Sequence, residues 1–342
     1  MATKQRLVSQ IVMIGVVLAP AVLGAQDDPV TQLAREVSRK GWIVYAARGD
    51  NGTWDLFLMR PDGSQRRNIT NTPDYEEGGP RFSPDGRQLL YRRFAKGTVI
   101  HHDLWGFQGN LFVTSSDGSG PEQIGGDREY PWASWSPDGR QIACLTLKGI
   151  EVVDLNTKDI VRRLPRMGIY QQLFWSPDGQ WFCGVANTSI MWTVVRMNSV
   201  TGELNIVHEF QSCTPDWFPD SKHIIYPSRP AGQEGYGFTQ LWMSDGEGAE
   251  AKMIYGEDGY HIYGGALSPD GEYVLFTRCS QDGGGSEEAG APICIMRMAD
   301  APAIGGPSPD LRKVHPHAKD ATVLQLVDGW EPCWTYTDVG AK

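Results

Sequence analysis

A short motif that recurs along the chain restricts its fold more than any other feature: an aromatic or apolar residue, then Ser-Pro-Asp-Gly or a close variant, then a β-rich run. The fullest copy is PWASWSPDGRQIACL at residues 131–145. Repeats at intervals of about 40–50 residues are typical of architectures built from one supersecondary unit. The five copies lie 53, 40, 42 and 50 residues apart, measured between Pro84, Pro137, Pro177, Pro219 and Pro269.

The motif contains the residues that a tight turn requires. Proline presets φ, the aspartate side chain accepts hydrogen bonds from nearby amides, and glycine adopts positive φ. The β-branched and aromatic runs that follow, such as residues 141–144 and 273–276, are strand signals. Each copy therefore predicts two antiparallel strands. A further turn with glycine, such as Asp62-Gly63, predicts a third strand and a fourth.

Four antiparallel strands in a repeat of this period describe a propeller blade. Residues 42–70 contain a second, third and fourth strand without a first, and residues 331–335 contain a first strand with nothing after it. The sequence therefore predicts an all-β, six-bladed β-propeller, closed by a one-plus-three clasp between its N- and C-terminal segments. Residues 300–325 show no repeat signature, and we expect a long loop there before a last fourth strand at 322–326.

The first 24 residues have the pattern of an export signal. Lys4 and Arg6 precede an apolar run at residues 11–23, and small residues follow. This run is short for a membrane span, so we predict a cleaved signal peptide at residues 1–24 and a periplasmic or secreted protein. The mature chain would then have no integral membrane segment. An uncleaved anchor is the alternative.

Three further segments complete the predicted organisation. Apolar residues at helical spacing (Val30, Leu33, Ala34 and Val37) predict a short amphipathic helix. It belongs to an N-terminal linker at residues 25–40. The propeller follows at residues 41–336, and residues 337–342 form a C-terminal tail.

The charge and the missing motifs narrow the function. With 41 acidic and 31 basic residues the net charge is -10, which argues against nucleic acid or an anionic membrane surface as a partner. The chain has no G-x-S-x-G nucleophile elbow, no H-E-x-x-H zinc motif and no nucleotide-binding glycine loop. The sequence therefore predicts no catalytic residue, no metal and no cofactor.

The repeat resembles a known family. The segment DLFLMRPDGSQRRNIT at residues 55–70 and the units of the form P-x-W-S-P-D-G resemble the TolB-type six-bladed propeller repeats of the bacterial envelope. The resemblance covers roughly residues 41–335. It implies the fold and says little about function, because the repeat is scaffold. With the export signal and the missing catalytic motifs, we expect an envelope protein, a peptide or a glycan as the partner. A TolB protein also has an N-terminal α/β domain, and this chain has the predicted helix in its place.

Propeller topology sorts the connections onto two faces. The Ser-Pro-Asp-Gly turns and the turns from third to fourth strands lie on one face, which we call the turn face. Connections from second to third strands, and from blade to blade, lie on the other, which we call the loop face. The long loops at residues 94–109, 228–238 and 280–291 all belong to the loop face. Binding residues concentrate on long loops held by a rigid scaffold.

Candidate ligand-binding residues therefore come from the loop face. Aromatic rings mixed with carboxylates and amides suit a sugar, a peptide or a cationic group, although the same residues could simply fill the channel. Adjacent histidines in a loop usually point apart, so we do not predict a metal site. The candidates are Tyr130, Tyr170, Gln172, His261, Tyr263 and Glu331 around the channel mouth, with His101 and His102 in the first long loop.

Two functions remain open at this point. The first is an exported, monomeric and non-catalytic scaffold that binds its ligand through the loop face. The alternative is a carbohydrate-active lyase or hydrolase with its site at the channel mouth. We interpret the adjacent carboxylates Glu76 and Glu77 as solvated rather than as an acid and base pair. Of the six cysteines, Cys279 and Cys294 flank one hairpin loop, and we expect a disulfide between them.

Overall fold

The structure is a computed structural model. It describes residues 27–98, 100, 109–127, 129–130, 132–187, 192–208, 212–229, 239–280, 291–303, 305–307 and 321–339. Helix α1 spans Pro29–Val37, as the apolar spacing predicts. Its N-cap is Asp28, whose carboxylate accepts hydrogen bonds from the amides of Val30 and Thr31, both at 3.1 Å. Leu33 and Val37 are fully buried, so the helix is fixed to the propeller by its apolar face.

The strands form six antiparallel sheets, which are the blades of a propeller ring. Blade one contains β1 (Trp42–Arg48), β2 (Trp54–Met59), β3 (Arg67–Asn68) and the last strand of the chain, β25 (Trp330–Thr335). Blade two contains β4 (Tyr75–Phe82), β5 (Gln88–Ala95), β6 (Asn110–Ser115) and β7 (Glu122–Ile124). Blade three contains β8 (Trp132–Trp135), β9 (Gln141–Leu145), β10 (Ile150–Asp154) and β11 (Ile160–Leu164).

The second half of the ring follows the same order. Blade four contains β12 (Ile169–Trp175), β13 (Trp181–Asn187), β14 (Trp192–Asn198) and β15 (Leu204–His208). Blade five contains β16 (Asp216–Trp217), β17 (His223–Ser228), β18 (Gln240–Asp245), β19 (Glu250–Tyr255) and β23 (Gly305–Pro307). Blade six contains β20 (Tyr260–Leu267), β21 (Tyr273–Ser280), β22 (Pro292–Arg297) and β24 (Val323–Asp328).

The predicted clasp is confirmed, because β25 pairs antiparallel with β1 in a register that sets Val44 opposite Cys333. The expectation for residues 300–325 is wrong in one respect. Residues 305–307 add a fifth strand to the outer edge of blade five, where Gly305 lies opposite Lys252. A three-residue strand with two glycines lacks the β-branched pattern by which strands are recognised in a sequence.

The motif itself has two structural roles. In four copies the serine hydroxyl donates to the aspartate carboxylate at 2.6 Å and accepts from the amide that starts the second strand; the serines are Ser83, Ser136, Ser176 and Ser268. In two copies the tryptophan before the serine position joins blades, whereas Trp175 donates to the Gly179 carbonyl of its own blade at 2.9 Å. The indole nitrogen of Trp135 donates to the Arg81 carbonyl of the preceding blade, and that of Trp217 donates to the Phe174 carbonyl, at 3.2 and 3.1 Å.

Both ends of the described chain pack on the ring. Glu36 of α1 accepts two hydrogen bonds from Arg297 of blade six, at 3.0 and 2.6 Å. At the other end Val339 is buried beside Trp42 and Phe82, between blades one and two. No helix among the described residues combines the length and the apolar character that crossing a membrane requires.

Candidate functional site

Most first strands carry the same local distortion near the loop face. A bulge interrupts the pairing of first and second strands in blades one, two, four and six. A residue with positive φ lies four positions before the motif serine, or before the residue in its place, in five blades. These residues are Gly79 (66°), Gln172 (55°), Thr214 (41°), Gly264 (65°) and Glu331 (50°).

Glycine adopts this conformation without cost, but the other residues do not. Thr214 is the most unfavourable of them, because a β-branched side chain crowds its own backbone at positive φ. Each such residue costs on the order of 1–3 kcal/mol, and such strain is most often retained at functional sites. The strained residues Gln172, Thr214 and Glu331 therefore mark this part of the channel as a candidate site.

These three strained side chains line one cavity on the propeller axis, which we call the axial cavity. Its volume is about 30 Å³. A buried water needs a cavity of roughly 10–15 Å³, so the axial cavity has room for about two water molecules. Within the cavity Gln172 accepts a hydrogen bond from the Thr214 amide at 2.6 Å. The remaining polar and aromatic lining comes from Arg81, Phe174, Asp216, Tyr263, Phe276, Thr277 and Trp330.

Arg81 and Asp216 occupy the same position in their repeats, two residues before the serine position. They belong to blades two and five, so they face each other across the six-bladed ring. Burial raises the pKa of Asp216 to about 6, although the positive charge of Arg81 opposes that shift. Arg81 is held in place by hydrogen bonds from its Nη1 to the carbonyls of Pro80 and Glu331, at 2.9 and 3.0 Å.

Glu331 and Arg92 form a buried ion pair at the edge of the axial cavity. Oε1 of Glu331 lies 3.8 Å from Nη2 of Arg92, and the two side chains are only 6% and 4% exposed. Among the described residues, Oε2 of Glu331 has no hydrogen-bond partner. Burial raises the pKa of this carboxyl, while Arg92, Arg81 and the nearby backbone amide of Gly79 lower it. Gly79 leaves room for the pair, because a Cβ there would lie 3.2 Å from Oε2 of Glu331.

An aromatic row borders the axial cavity on the side of blades six and one. The rings of His261 and Tyr263 are stacked at 5.1 Å, and Tyr263 meets Trp330 edge to face at 6.2 Å. All three are at most 3% exposed, so their faces are largely covered by the protein. Burial, with a contribution from Arg229, lowers the pKa of His261 to about 4, so its ring is neutral at pH 7.

The other candidate residues have different positions. Tyr130 donates a hydrogen bond to Glu151 of blade three at 3.2 Å, and Tyr170 is half-buried; neither lines the axial cavity. His101 and His102 lie outside the described residues. No group of three or more His, Cys, Asp or Glu side chains within the described ranges is placed to hold a metal ion.

The interpretation of Glu76 and Glu77 as solvated is wrong. Both are buried, and Glu76 accepts hydrogen bonds from the amides of Trp54 and Gly97 at 2.6 and 2.8 Å. Glu77 accepts one from Arg93 at 3.0 Å. Glu76 therefore joins blades one and two, and Glu77 supports blade two. The alternation of exposed and buried positions in a bulged first strand is not evident from the sequence.

The expected disulfide is also wrong, since Cys279 and Cys294 are both free thiols. Cys294 lies opposite Phe276 in the sheet of blade six, and Cys279 comes three residues after Phe276. Side chains alternate along a strand, so the two sulfurs point to opposite faces of the blade. Cys294 packs towards blade five and Cys279 towards blade one. The two cysteines flank the same loop, but their side chains lie on opposite faces of the blade and therefore cannot form a disulfide.

Sequence reasoning missed Arg81, Arg92 and Asp216. A signal for two of them is present in the repeat. At the position two before the serine, the other copies have Ser134, Phe174 and Ala266. An arginine and an aspartate at this position, three blades apart, therefore indicate opposite charges across the channel.

Comparisons with solved structures place this architecture among known propellers. TolB from Acinetobacter baumannii aligns with 89% of this chain and 69% of its own, at 18% identity and a TM-score of 0.62. A putative TolB from Agrobacterium tumefaciens aligns over 86% of this chain and 94% of its own, at 19% identity and a TM-score of 0.53. The chain has a TolB-like propeller fold. This confirms the resemblance that its repeats indicate.

The likeness of the TolB-like propeller to these structures is one of fold. A structure of a nidogen/laminin complex also aligns, over 85% of this chain and 97% of the other, at 11% identity and a TM-score of 0.55. No protein-family model matches the chain, and no curated protein is significantly similar to it in sequence. Since one fold supports many functions, the function has to be argued from the axial cavity and the face around it.

Proposed function

We propose that this TolB-like propeller is an exported, non-catalytic binding scaffold whose loop face holds a protein, peptide or other envelope ligand over the axial cavity. The observation that carries the proposal is the strain around that cavity. Gln172, Thr214 and Glu331 have unfavourable φ angles and line it together. Asp216 adds a buried carboxylate to the same wall.

Each of these features lowers the stability of the propeller. Single substitutions would relieve the strain or remove the buried charge and so stabilise the protein. Because the strained residues and the buried charge are nevertheless present together around one cavity, we infer that they serve a function there. On the turn face the described non-glycine residues with positive φ are Gln65, Lys158 and Ser221, which lie in separate turns of three blades and do not line one cavity. The motif aspartates there are stabilised by serine hydroxyls and backbone amides. Binding is therefore assigned to the opposite face.

Export is part of the proposal and rests on the predicted signal peptide, which lies outside the described residues. The repeat supports it, since the propellers that it resembles belong to the bacterial envelope. Cleavage can be checked by N-terminal sequencing of the protein recovered from the cell envelope or the medium. A mature N-terminus near residue 25 is the expected result, and a chain that retains residues 1–24 would contradict export by cleavage.

Exposed apolar residues on the two faces provide a test of the binding face. Leu147 and Met167 lie on the loop face and are 69% and 56% exposed, whereas Val200 lies on the turn face and is 64% exposed. Exposed apolar side chains of this kind are frequent contacts in protein interfaces. The double variant Leu147→Asp, Met167→Asp and the single variant Val200→Asp therefore place similar charges on opposite faces.

Each purified variant would serve as bait for an envelope extract of the source cells, with captured proteins quantified by mass spectrometry. We expect proteins retained by the wild-type chain to fall at least about tenfold with the loop-face variant. They should persist with Val200→Asp. Loss with Val200→Asp alone would assign binding to the turn face, and capture that neither variant changes would contradict the proposed function.

A further inference from the structure

We propose that the axial cavity receives a primary ammonium group, such as the end of a lysine side chain of the bound partner. This inference rests on the proposed function, because it names the group that the loop-face ligand would insert. Two acceptors define the site. They are Oε2 of Glu331, which has no hydrogen-bond partner among the described residues, and the carboxylate of Asp216.

Glu331 is the principal observation. Its side chain is 6% exposed and lines the axial cavity; Oε1 lies 3.8 Å from Arg92, and Oε2 has the Gly79 amide beside it but no well-aligned hydrogen bond among the described residues. A buried acceptor that lacks a donor costs free energy, and a donor entering the cavity would recover it. An ammonium is the strongest such donor of suitable size, since it offers three N–H groups and occupies about the space of one water.

The size of the cavity favours a small head group. Tyr263 and Trp330 form part of its wall, and both side chains are at most 3% exposed. The small volume of about 30 Å³ admits a single small head group and excludes a sugar ring. The net charge of -10 also attracts cationic partners over longer distances.

The positive charges of Arg81 and Arg92 near the cavity would repel a cation, but both guanidinium groups are held by contacts of their own. Arg81 is fixed on two carbonyls, and its guanidinium carbon lies 5.2 Å from the ring centre of Phe174. Arg92 lies 4.3 Å from the ring centre of Trp132. Nε of Arg81 lacks a hydrogen-bond partner among the described residues, so an anion is the competing ligand. An anion would, however, meet two carboxylates in the cavity wall.

Binding of an ammonium should be coupled to the ionisation of Asp216. The charged groups around this carboxyl are Arg81 and Glu331, and the thiols of Cys183 and Cys333 are close enough to interact with it. Burial raises the pKa of both thiols, which stay neutral below pH 8. A cation prefers the ionised carboxylate, so its affinity should rise as Asp216 loses its proton near pH 6.

The experiment uses n-butylammonium, a mimic of the lysine side chain, with n-butanol and butyrate as neutral and anionic probes of the same length. Affinities are measured by NMR titration of the full chain between pH 5 and 8. We expect n-butylammonium to bind at least about tenfold more tightly than either control at pH 7.5. Tighter binding of butyrate would overturn the inference and identify an anion site.

Three variants locate the effect. Glu331→Gln should weaken n-butylammonium binding about tenfold or more. Asp216→Asn should remove most of the rise in affinity between pH 5 and 7. Glu203→Gln neutralises an exposed carboxylate outside the cavity and should change neither. Thermal unfolding confirms that each variant is folded, and binding that Glu331→Gln leaves unchanged would overturn the inference.

The same Glu331→Gln protein separates this inference from the proposed function. If the loop-face variant abolishes capture of envelope proteins while Glu331→Gln does not, the scaffold function stands and the inference that the partner inserts an ammonium group is rejected. If n-butylammonium binds as expected but the loop-face variant captures normally, the cavity is a cation site and the proposed docking face is wrong.

Discussion

The two faces of the propeller are formed by opposite ends of the same strands. Residues of the repeated motif on the turn face stabilise the fold, whereas several residues around the axial cavity destabilise it. On the turn face, four serine–aspartate pairs repeat the same 2.6 Å hydrogen bond. The bond from Ser83 holds the pKa of Asp85 below its ordinary value, so the pair adds stability above the ordinary pKa and loses it on acidification. On the side of the loop face, first strands and the residues just before them contain the strained residues Gln172, Thr214 and Glu331, together with buried charges.

This difference indicates at which positions a substitution should lower the stability of the protein and at which it should raise it. Residues of the turn-face motif hold neighbouring blades together, so they are fixed by the packing between blades. The axial cavity retains features that a more stable propeller would lack. If this contrast is right, substitutions on the turn face should destabilise the protein, and some at the cavity should stabilise it.

The largest expected effect tests close packing on the turn face. Gly118 follows the third strand of blade two with φ +87°, and a Cβ there would lie 2.1 Å from the carbonyl oxygen of Ile69 in blade one. Gly118→Ala should lower the free energy of unfolding by about 2–5 kcal/mol, from backbone strain and a clash that only separation of the blades relieves. Urea denaturation provides the measurement.

Gly52 on the loop face is the matched control. Its φ is +81°, and nothing lies within 4 Å of the Cβ that an alanine would add. Gly52→Ala should therefore cost only the backbone term of about 1–2 kcal/mol. Equal losses in the two variants would contradict the claim that blade contact, rather than φ alone, requires glycine on the turn face.

The second prediction concerns the buried carboxyl of the axial cavity. The folded-state pKa of Asp216, about 6, lies above the ordinary value of 3.8. The folded state therefore holds the proton more tightly, and stability falls as pH rises through 6. Asp216→Asn should be more stable than the wild-type chain by roughly 1–3 kcal/mol at pH 8, and this gain should fade towards pH 4.

Denaturant titrations of both proteins from pH 4 to 8 measure this gain. The amide can still accept the hydrogen bond that the Trp217 amide makes to Asp216 at 2.7 Å, so the comparison isolates the charge. A variant less stable than the wild-type chain at pH 8 would mean that attraction by Arg81 outweighs desolvation. That result would remove Asp216 from the features that strain the cavity.

The smallest effect tests the strain at Thr214. Thr214→Gly relieves a φ of +41° and removes the side chain, whereas Thr214→Ala removes most of the side chain and keeps the strain. The glycine variant should be more stable than the alanine variant by about 1 kcal/mol, despite the greater flexibility of glycine when unfolded. Thermal melts of the pair measure the difference, and an alanine variant of equal or greater stability would show that the backbone is unstrained.

The fold was largely predictable because its information is local. Proline, aspartate and glycine each act within a turn of four residues, so every copy of the motif could be recognised alone. The clasp followed from counting, since residues 42–70 lacked a first strand and residues 331–335 supplied one. The strand at residues 305–307 was missed because it is defined by its partner β19 and has no pattern of its own.

The site was predicted only in part. Gln172, Tyr263 and Glu331 were expected near the channel mouth and do line the axial cavity, and His261 stacks beside it on Tyr263. Tyr130 was expected there too, but its hydroxyl is directed to Glu151. Topology tells which end of a strand a residue occupies, but which way its side chain points depends on bulges that shift the alternation.

The sequence by itself determined the turns, the number of blades and the closure of the ring, because these depend on backbone preferences of neighbouring residues and on a repeated pattern. Only the tertiary structure decided which residues meet on the axis. Arg81, Asp216 and Glu331 lie far apart in the chain, and their charges interact because closure of the ring removes water from between them. The positive φ of Thr214 and the tight approach at Gly118 are likewise set by packing between blades, for which no single segment carries a signal.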